Sequence, residues 1–446
     1  MRVAVVGAGI VGVATAWELV SDGHEVTVFE KRSSTAAECS FANAGVVAPG
    51  YVAPWAAPGM PLKVLRHLFG RHAPVRLGAG IDLATLRWMW LWWRACATRR
   101  WRVNRAGMQR LASYSRERLR GIAHELSLDY ERSDGVLMLL RGQRDVALAR
   151  PALQLLKDSG VEYALLDAAH CRIIEPGLNA EMAFAAGVAL PAAEAGNCRQ
   201  FAMLLRKHAQ RRGAQFRFQT EVGALRGGAT PRLISKKRSG RVSTAHAPDD
   251  FANDESPPTE PQPDAPLEES FDAIVVCAGL GARALLKPLG VRLPIVAVHG
   301  YSVTAPLRRI EAHPDIGPRS ALIDERYKVA ITRLGRRVRI AGSAELGGDP
   351  NTLDPAAFAT LYKVLDDWFP GSAHLEQSQQ WKGARPMLPD GPPVLGACRA
   401  SGVWLNLGHG SSGWALACGS ARVVADALAG SAPAIDVEGL GVERLR

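Results

Sequence analysis

Hydrophobic and polar positions follow a regular order at the start of the chain. Arg2–Val6 is a short apolar run, and the glycine-rich segment Gly7–Gly12 follows it directly. Val13–Asp22 has the spacing of apolar residues that is typical of a helix, whereas His24–Phe29 alternates between polar and apolar positions. The pattern therefore predicts a strand, a glycine turn, a helix and a second strand.

The turn at Gly7, Gly9 and Gly12 has the spacing of a dinucleotide-binding fingerprint. Gly7 permits a tight turn, Gly9 lets a pyrophosphate approach the backbone, and Gly12 lets the helix pack close to the strand. The pyrophosphate would lie at the helix N-terminus, where unpaired N–H groups and the helix dipole favour negative charge. Glu30, just after the second strand, is placed to accept hydrogen bonds from ribose hydroxyls. The alternative is a glycine turn in an ordinary α/β unit, and the flanking strands and the acid favour nucleotide binding.

Elements of the same type recur later in the chain. Phe271–Cys277 is a fully apolar run that ends at Ala278-Gly279. Val403–Leu407 is another predicted strand, and it leads into Gly408–Gly413 and then a helix from Trp414 to Ala429. Nucleotide-type elements thus stand at the start, the middle and the end of the chain.

Other segments predict antiparallel strands. Val291–Thr304, Lys328–Leu334 and Arg336–Ala341 alternate between apolar and polar residues. We therefore predict an α/β protein with two discontinuous domains: a Rossmann-like domain, with helices on a parallel sheet, and a substrate domain with a mixed or antiparallel sheet. The predicted limits are residues 1–50, 196–290 and 385–446 for the nucleotide-binding domain and residues 51–195 and 291–384 for the substrate domain.

Residues 226–270 differ in composition from the rest of the chain. Basic residues, including Lys236-Lys237-Arg238, come first, and acidic residues follow them together with Pro257, Pro258, Pro261, Pro263 and Pro266. Large apolar side chains are few, so this stretch cannot bury enough surface to offset the entropy lost on ordering. We predict an insert that is mostly disordered.

Length and cysteine content limit the class of protein. A chain of 446 residues that is 47% hydrophobic can bury a large core, and it contains no uninterrupted apolar stretch long enough to span a bilayer. Its seven cysteines are scattered without a CxxC motif, which suits a reducing compartment and argues against a zinc or other metal site. We therefore expect a cytoplasmic protein.

The formal net charge of +11 raises the question of an acidic partner. Arg87–Arg105 alternates arginines with tryptophans, and no nucleic-acid-binding motif accompanies it, so no nucleic-acid partner is expected. The favoured interpretation is an amphipathic helix whose tryptophans belong to the core. The alternative is an interfacial helix, with tryptophans at the depth of lipid headgroups and arginines on acidic phosphates.

Four longer motifs identify a family resemblance. They are FANAGVVAPGYVAPWAAPG (Phe41–Gly59), HGYSVT (His299–Thr304), GARPMLPDGPPVLG (Gly383–Gly396) and LNLGHGSSGWALACGS (Leu405–Ser420). Together with the fingerprint, they resemble the FAD-dependent D-amino-acid oxidase and glycine oxidase superfamily, most closely the small subunits of bacterial D-amino-acid dehydrogenases. The resemblance covers nearly the whole chain apart from the insert.

The resemblance implies that FAD is the cofactor. The glycine fingerprint would contact its pyrophosphate, Glu30 its ribose, and the backbone of Val222 its adenine. A helix N-terminus at Gly410–Gly413 would stabilise the negative charge that develops near flavin N1 on reduction. The predicted FAD-binding residues are Val6, Gly7, Gly9, Ile10, Val11, Gly12, Glu30, Lys31, Ser40, Asn43, Ala44, Gly45, Val222, Ala278, Gly279, Gly408, His409, Gly410, Ser411, Ser412 and Gly413.

Three residues are predicted to act on the substrate. Arg385 matches the family's carboxylate-binding arginine, and a guanidinium holds a planar carboxylate with two parallel hydrogen bonds. Tyr327 lines up with a tyrosine that assists this arginine in related oxidases, and Tyr301 is a further pocket candidate. For either tyrosine, a packed core ring with a satisfied hydroxyl is an equal alternative.

The resemblance also implies a reaction. The Cα hydrogen of a D-amino acid would move as hydride to flavin N5 without a side-chain base, and the imine would hydrolyse to a 2-oxo acid and ammonia. The expected acceptor is a membrane quinone or another electron carrier, with possible peripheral attachment to the cytoplasmic face of the inner membrane. The alternatives are oxidation of secondary amines or glycine (proline, hydroxyproline, sarcosine, glycine) and a non-catalytic flavoprotein subunit.

Overall fold

The computed structural model describes residues 1–67, 70, 72–238, 265–309 and 316–445. Its helices are α1 (Ile10–Ser21), α2 (Met60–His67), α3 (Leu83–Ala95), α4 (Thr98–Glu125), α5 (Gln143–Asp158), α6 (Ala168–Ile174), α7 (Cys198–Arg211), α8 (Ala282–Leu286), α9 (Pro355–Trp368) and α10 (Gly413–Leu428). Its strands are β1 (Arg2–Val6), β2 (Glu25–Phe29), β3 (Val46–Val47), β4 (Val75–Leu77), β5 (Ser133–Leu140), β6 (Ala164–Leu166), β7 (Ala186–Ala195), β8 (Gln215–Arg217), β9 (Thr220–Arg226), β10 (Arg232–Lys237), β11 (Leu267–Ser270), β12 (Ala273–Val276), β13 (Val296–Pro306), β14 (Ala321–Asp324), β15 (Val329–Leu334), β16 (Arg337–Leu346), β17 (Gln379–Met387), β18 (Val394–Ala397) and β19 (Val403–Leu407).

A six-stranded sheet has the order β18-β19-β12-β1-β2-β8. β1 pairs in parallel with β12 and β2, β12 pairs in parallel with β19, and only β18 is antiparallel to its neighbour. Because parallel strands end at the same edge of a sheet, the turns after β1, β12 and β19 lie side by side. The predicted α/β class is confirmed, and this sheet draws its strands from distant parts of the chain.

Helices α1, α7 and α10 cover one face of this sheet. Between them, Trp17, Phe201 and Trp414 are fully buried, and the Phe201 ring centre lies 5.0 Å from that of Trp414. Tyr130 packs edge-on against Phe201 at 5.3 Å. These rings belong to the apolar core between the helices and the sheet.

The second large sheet is mixed and follows the order β17-β13-β16-β15-β14-β5-β7-β3, with β4 beside β16 and β6 beside β7. Helix α9 packs on one face through a core that includes Phe358 and Trp368. At one edge, β17 contacts two 3-10 turns of the parallel-sheet region, Gly279–Gly281 and Gly410–Ser412. The two sheets therefore meet at the carboxyl ends of the parallel strands.

The prediction of a mostly disordered insert is wrong for its two ends. Arg232–Lys237 and Leu267–Ser270 form strands that continue β9 into an antiparallel sheet of the order β11-β10-β9. Leu233 is fully buried and packs with Leu225 and Phe271. This local burial outweighs the polar average of the segment. Residues 239–264 of the insert lie outside the described part of the chain.

The segment Arg87–Arg105 is not one helix. Helix α3 ends at Ala95 and α4 begins at Thr98, and the prediction of tryptophans in the core holds only in part. Trp88 is 5% exposed, whereas Trp90 and Trp93 are 52% and 61% exposed. Among the described residues, no helix combines the length and the apolar character needed to cross a membrane.

One buried carboxylate ties three helices together. Glu18 of α1 has no exposed surface and accepts hydrogen bonds from Arg118 of α4 at 2.8 Å and from Arg422 of α10 at 3.0 Å. Burial raises the pKa of this carboxyl, and the two guanidinium groups oppose that shift. The two arginines thus offset the cost of burying its charge.

We expect Glu18→Ala to lower the free energy of unfolding by about 2–4 kcal/mol, because it leaves two arginines without their shared partner. Urea unfolding followed by circular dichroism measures the change. The matched control is Glu25→Ala, which removes an exposed ion pair with Arg2 at 3.6 Å and should cost less than about 1 kcal/mol. Equal effects of the two substitutions would contradict this account of the helix packing.

Candidate active site

The glycine fingerprint forms a closely packed turn at the end of β1. Gly7 has φ +107°, and a Cβ at this position would lie 2.7 Å from the carbonyl oxygen of Cys277. A Cβ at Gly12 would overlap the carbonyl oxygen of Gly7. Both positions therefore require glycine for the helix and the strands to come this close. The N-terminus of α1 then points its N–H groups along the edge where the strands end.

Glu30 and Lys31 follow β2 beside this turn. The carboxylate of Glu30 accepts hydrogen bonds from the backbone N–H of Ala8 at 2.7 Å and of Arg32 at 2.8 Å. Burial raises the pKa of this carboxyl, and the two backbone hydrogen bonds act against the rise. Lys31 forms an ion pair with Glu38 at 2.9 Å. Glu30 is thus fixed next to the turn, with Val6 at the end of β1 and Val11 in the first turn of α1.

The loop Ser40–Gly45 crosses in front of the α1 N-terminus. The Ser40 hydroxyl accepts a hydrogen bond from the N–H of Ile10 at 3.2 Å and lies over Gly9. The Asn43 side chain accepts a hydrogen bond from the N–H of Gly45 at 2.9 Å. These contacts bring the loop to the place where the fingerprint would bind a pyrophosphate.

The mixed sheet fixes this loop from the other side. Thr332 donates to the Ala44 carbonyl at 2.7 Å, and Arg339 donates to the Asn43 carbonyl at 3.0 Å. Arg339 is buried, and its desolvation lowers the pKa of the guanidinium to about 10. A buried arginine is costly, so its hydrogen bonds to the loop and to Thr304 indicate a fixed position.

Two further turns complete the edge. Ala278-Gly279 follows β12 and begins a 3-10 turn, and Gly408 follows β19 with φ +79°. The turn Gly410–Ser412 then leads into α10, whose N-terminal N–H groups face the same edge. Val222, predicted at the adenine, is buried in β9 in the same core cluster as Val6. The structure thus brings the predicted FAD-binding residues to one edge of the sheet.

His409 does not offer a titratable side chain at this edge. Its ring is buried, and Nε2 lies 2.9 Å from the Ser420 hydroxyl inside α10. Burial lowers the pKa of His409 to about 3, so the ring is neutral at physiological pH. Its backbone pairs with Met387 at the end of β17. Only the backbone of His409 is free to face a cofactor.

The residues at this edge fit FAD. Two helix N-termini, at Ile10 and Gly413, aim backbone N–H groups at it, as binding of a pyrophosphate and of an electron-rich ring requires. Gly7 and Gly12 lie where a Cβ atom would collide with backbone carbonyl oxygens, so the backbone at this edge stays open to a ligand. Glu30 lies beside the glycine turn, and its contact with the ribose stays a prediction.

Arg385 lies on β17 opposite Val298 of β13, and its guanidinium extends along the sheet over Gly300. A Cβ at Gly300 would overlap the guanidinium, so the HGYS glycine leaves room for the arginine. Nη1 donates to the carbonyl oxygen of Ser343 at 3.0 Å. In the part of the chain that the structure describes, no carboxylate forms an ion pair with Arg385, and desolvation lowers the pKa of its guanidinium. A partly buried cation without a counter-charge is suited to bind an anion.

Aromatic side chains stand around this arginine. The Trp55 ring centre lies 6.0 Å from the guanidinium carbon. Trp381 lies over Gly383 on the same face of β17 as Arg385 and stacks on Phe41 at 6.3 Å. Trp55 and Trp381 are not among the site residues predicted from the sequence. The alternation of Trp381, Gly383 and Arg385 along one strand was the available signal.

The structure does not bring the two predicted tyrosines to Arg385. Tyr301 follows Gly300 on β13, so its side chain points to the opposite face, where it is buried, packs on Phe358 and donates to Glu345. The ring of Tyr327 packs in the same α9-side core, 4.8 Å from the Arg141 guanidinium and 5.5 Å from the Lys363 ammonium. The predicted substrate role of both tyrosines is therefore not retained. The period-two alternation of a strand explains the error for Tyr301.

Cys39 directly precedes the loop Ser40–Gly45 in sequence, and its side chain lies near Arg385. Burial raises the pKa of the Cys39 thiol to about 11. Its electrostatic interaction with Arg385 shows that the arginine and the loop are neighbours. The cationic group on the mixed sheet and the glycine turns of the parallel sheet thus belong to one site.

Comparison with known proteins agrees with this geometry. The family model described as FAD dependent oxidoreductase matches residues 2–427. The chain is 42% identical to the D-amino acid dehydrogenase of Rhizorhabdus wittichii over 446 residues, the full length of both. It is 38% identical to the D-amino acid dehydrogenase of Bradyrhizobium diazoefficiens, covering 100% of this chain and 99% of the relative.

Among solved structures, the fold is similar to glycine oxidase from Geobacillus kaustophilus, with a TM-score of 0.71 and 19% identity over 99% of this chain and 98% of that one. It is also similar to L-proline dehydrogenase from P. horikoshii, with a TM-score of 0.70 and 17% identity over 100% and 97% of the two chains. At such identities the likeness concerns the fold alone. On the evidence of the family model and the full-length relatives, the chain belongs to the DAO family of FAD-dependent oxidoreductases.

Proposed function

We propose that this enzyme oxidises D-amino acids to 2-oxo acids and ammonia and passes the electrons to a membrane quinone. The observation that carries the proposal is Arg385, a partly buried guanidinium with no carboxylate partner among the described residues, next to the predicted flavin loop. Support for the D-amino acid comes from relatives of that name at 38–42% identity over the full chain.

In the mechanism, Arg385 binds the substrate carboxylate. The carbonyls of Ser343 and His299 accept hydrogen bonds from Nη1, and the guanidinium occupies the space over Gly300. Its Nη2 and Nε would form two parallel hydrogen bonds with the carboxylate. Trp55 and Trp381 limit water near the carboxylate, which strengthens this ion pair. The arginine thereby fixes one end of the substrate relative to the cofactor edge.

Bound FAD supplies the hydride acceptor for the Cα hydrogen. The N–H groups at the start of α10 would stabilise the negative charge that reduction places on the ring, without needing to move. His409 is neutral and turned toward Ser420, and Cys39 keeps its proton at neutral pH, so neither acts as a base. The substrate amine reacts in its neutral form, and its imine product releases ammonia by hydrolysis.

Anaerobic mixing with D-alanine tests the proposed reaction. We expect the flavin absorbance to bleach with D-alanine and to remain with L-alanine, because full-length relatives at 38–42% identity are named D-amino acid dehydrogenase. A panel of proline, hydroxyproline, sarcosine and glycine tests the alternative that the enzyme oxidises secondary amines or glycine. Bleaching by these compounds alone would support that alternative, and bleaching by neither D-alanine nor any of these compounds would indicate a non-catalytic flavoprotein.

We expect Arg385→Ala to lower kcat/KM for D-alanine by about 100-fold to 1,000-fold, mainly through KM, because the variant loses a two-pronged charged contact. Arg385→Lys should recover only part of the loss, since an ammonium binds carboxylate without the planar fork. Steady-state kinetics and the flavin spectrum measure both effects. The control is Arg399→Ala on the surface. Equal loss of FAD and of turnover in Arg385→Ala would assign the arginine a structural role.

Peripheral membrane attachment is the second part of the proposal, and its support is one face of α3. Leu83, Leu86, Trp90 and Trp93 share this face at spacings of three and four residues, and each is more than half exposed. Arg94 lies over the Trp90 ring at 4.7 Å. We call this set the α3 apolar face. Large rings beside cations fit the headgroup region of an anionic bilayer.

We expect the double variant Trp90→Glu/Trp93→Glu to bind phosphatidylglycerol vesicles roughly tenfold or more weakly than the wild type, because it removes apolar area and adds negative charge. Co-sedimentation measures the binding, with phosphatidylcholine vesicles as the neutral reference. Leu148→Glu is the matched control, since Leu148 is equally exposed on α5. Unchanged binding of the double variant would assign the α3 apolar face another role.

A further inference from the structure

A groove lies between α3 and α8, outside the substrate site. Its volume is about 580 Å³, and its walls come from α3, from the 3-10 turn Gly279–Gly281, from α8 and from the segment that enters β13. Leu83 and Ala84 form one wall and Leu280 and Ala284 the other. A groove of this size with mostly apolar walls is suited to a small, flat, apolar molecule.

Cations stand among these apolar walls. Arg87 from α3, Arg283 and Lys287 from the α8 side, and Arg292 before β13 all line the groove. No carboxylate of the described residues lies within ion-pair distance of any of the four, although the positive charge of Arg283 helps to lower the pKa of Asp82 at the start of α3. The ligand that fits is therefore apolar in its body and carries oxygen atoms that accept hydrogen bonds or become negative.

The groove adjoins the cofactor edge at one end. Leu280 belongs to the turn that follows β12, whose Ala278 and Gly279 are predicted to contact the cofactor. Trp88 of α3, which does not line the groove, donates from Nε1 to the Met387 carbonyl at 3.0 Å and so fixes the inner side of α3 to the end of β17. A molecule in the groove would thus lie next to the cofactor turn without occupying the space around Arg385.

The groove adjoins the α3 apolar face at its other end. Leu83 belongs to both and is 83% exposed. A molecule dissolved in a bilayer against this face would reach the groove without crossing water. Helix α3 therefore packs against β17 on its inner side, lines the groove on a second side and exposes the α3 apolar face on its outer side.

We propose that the groove between α3 and α8 is the docking site of the lipid-soluble quinone that accepts the electrons, an inference that rests on the proposed function. Each oxidised amino acid would leave two electrons and one hydrogen on the bound FAD. The quinone would take up these two electrons with two protons, one from the reduced flavin and one from solvent, and leave as quinol, and FAD would return to its oxidised form. Arg87 and Arg283 would donate hydrogen bonds to the quinone oxygens and stabilise negative charge as electrons arrive.

Ala284→Trp tests the proposal because it fills the groove from an exposed position on α8. Ala147→Trp, at an exposed position on α5, is the matched control. The holoenzyme is photoreduced without substrate and mixed anaerobically with ubiquinone-1, and stopped-flow absorbance follows flavin reoxidation. Because no amino acid is needed, the result is independent of whether D-amino acids are the substrates.

We expect Ala284→Trp to slow reoxidation by ubiquinone-1 roughly tenfold or more at subsaturating quinone, by steric exclusion. Flavin reduction by D-alanine in the same variant should stay at the wild-type rate, and Ala147→Trp should leave both rates unchanged. Wild-type reoxidation rates in Ala284→Trp would overturn the proposal. Weaker binding of Ala284→Trp to phosphatidylglycerol vesicles with unchanged reoxidation would also overturn it and would assign the groove to a lipid headgroup. An equal loss of flavin reduction and of reoxidation would overturn it as well. Failure of D-alanine to reduce the wild-type flavin would refute the proposed function alone.

Discussion

The site depends on one electrostatic constraint: the guanidinium of Arg385 is partly buried, and no carboxylate of the described residues pairs with it. Removing a cation from water is costly unless an anion or hydrogen-bond acceptors replace the water. Here the carbonyl of Ser343 provides an acceptor, and the missing side chain at Gly300 provides the space. The remaining hydrogen-bonding capacity of the guanidinium suits a carboxylate delivered by the substrate. Binding the substrate then relieves a cost that the folded protein already carries.

The architecture holds this arginine next to the cofactor edge by joining two sheets. The parallel sheet supplies glycine turns and helix N-termini, and the mixed sheet supplies the strand that carries Arg385. Arg339 and Thr332 of the mixed sheet fix the backbone of Asn43 and Ala44, which belong to the loop across the α1 N-terminus. A shift of one sheet relative to the other would break these bonds, so the distance between carboxylate and cofactor is built into the fold.

Local signals predicted the nucleotide-binding part well. The strand, glycine turn and helix at Gly7–Gly12 depend on contacts that are close in sequence, and the backbone geometry at Gly7 requires that residue type. The pocket around Arg385 was harder to predict from the sequence, because the register between neighbouring strands decides which residues lie beside the arginine. Gly300 lies beneath the arginine only because β13 pairs with β17 in one register, and that register also turns Tyr301 to the opposite face. The polar average composition of residues 226–270 likewise did not predict the short strand around Leu233. Burial of this one leucine stabilises the strand although its neighbours are polar.

In the proposed reaction, Arg385 binds the α-carboxylate of the substrate beside FAD. A crystal structure of the holoenzyme with 2-aminoisobutyrate tests it most directly, because this amino acid has a carboxylate and an amine but no Cα hydrogen to transfer. We expect two parallel hydrogen bonds of about 2.7–2.9 Å between the carboxylate and the Arg385 guanidinium, with Cα facing the flavin ring. A carboxylate bound elsewhere, with Arg385 held only by the Ser343 carbonyl, would contradict it.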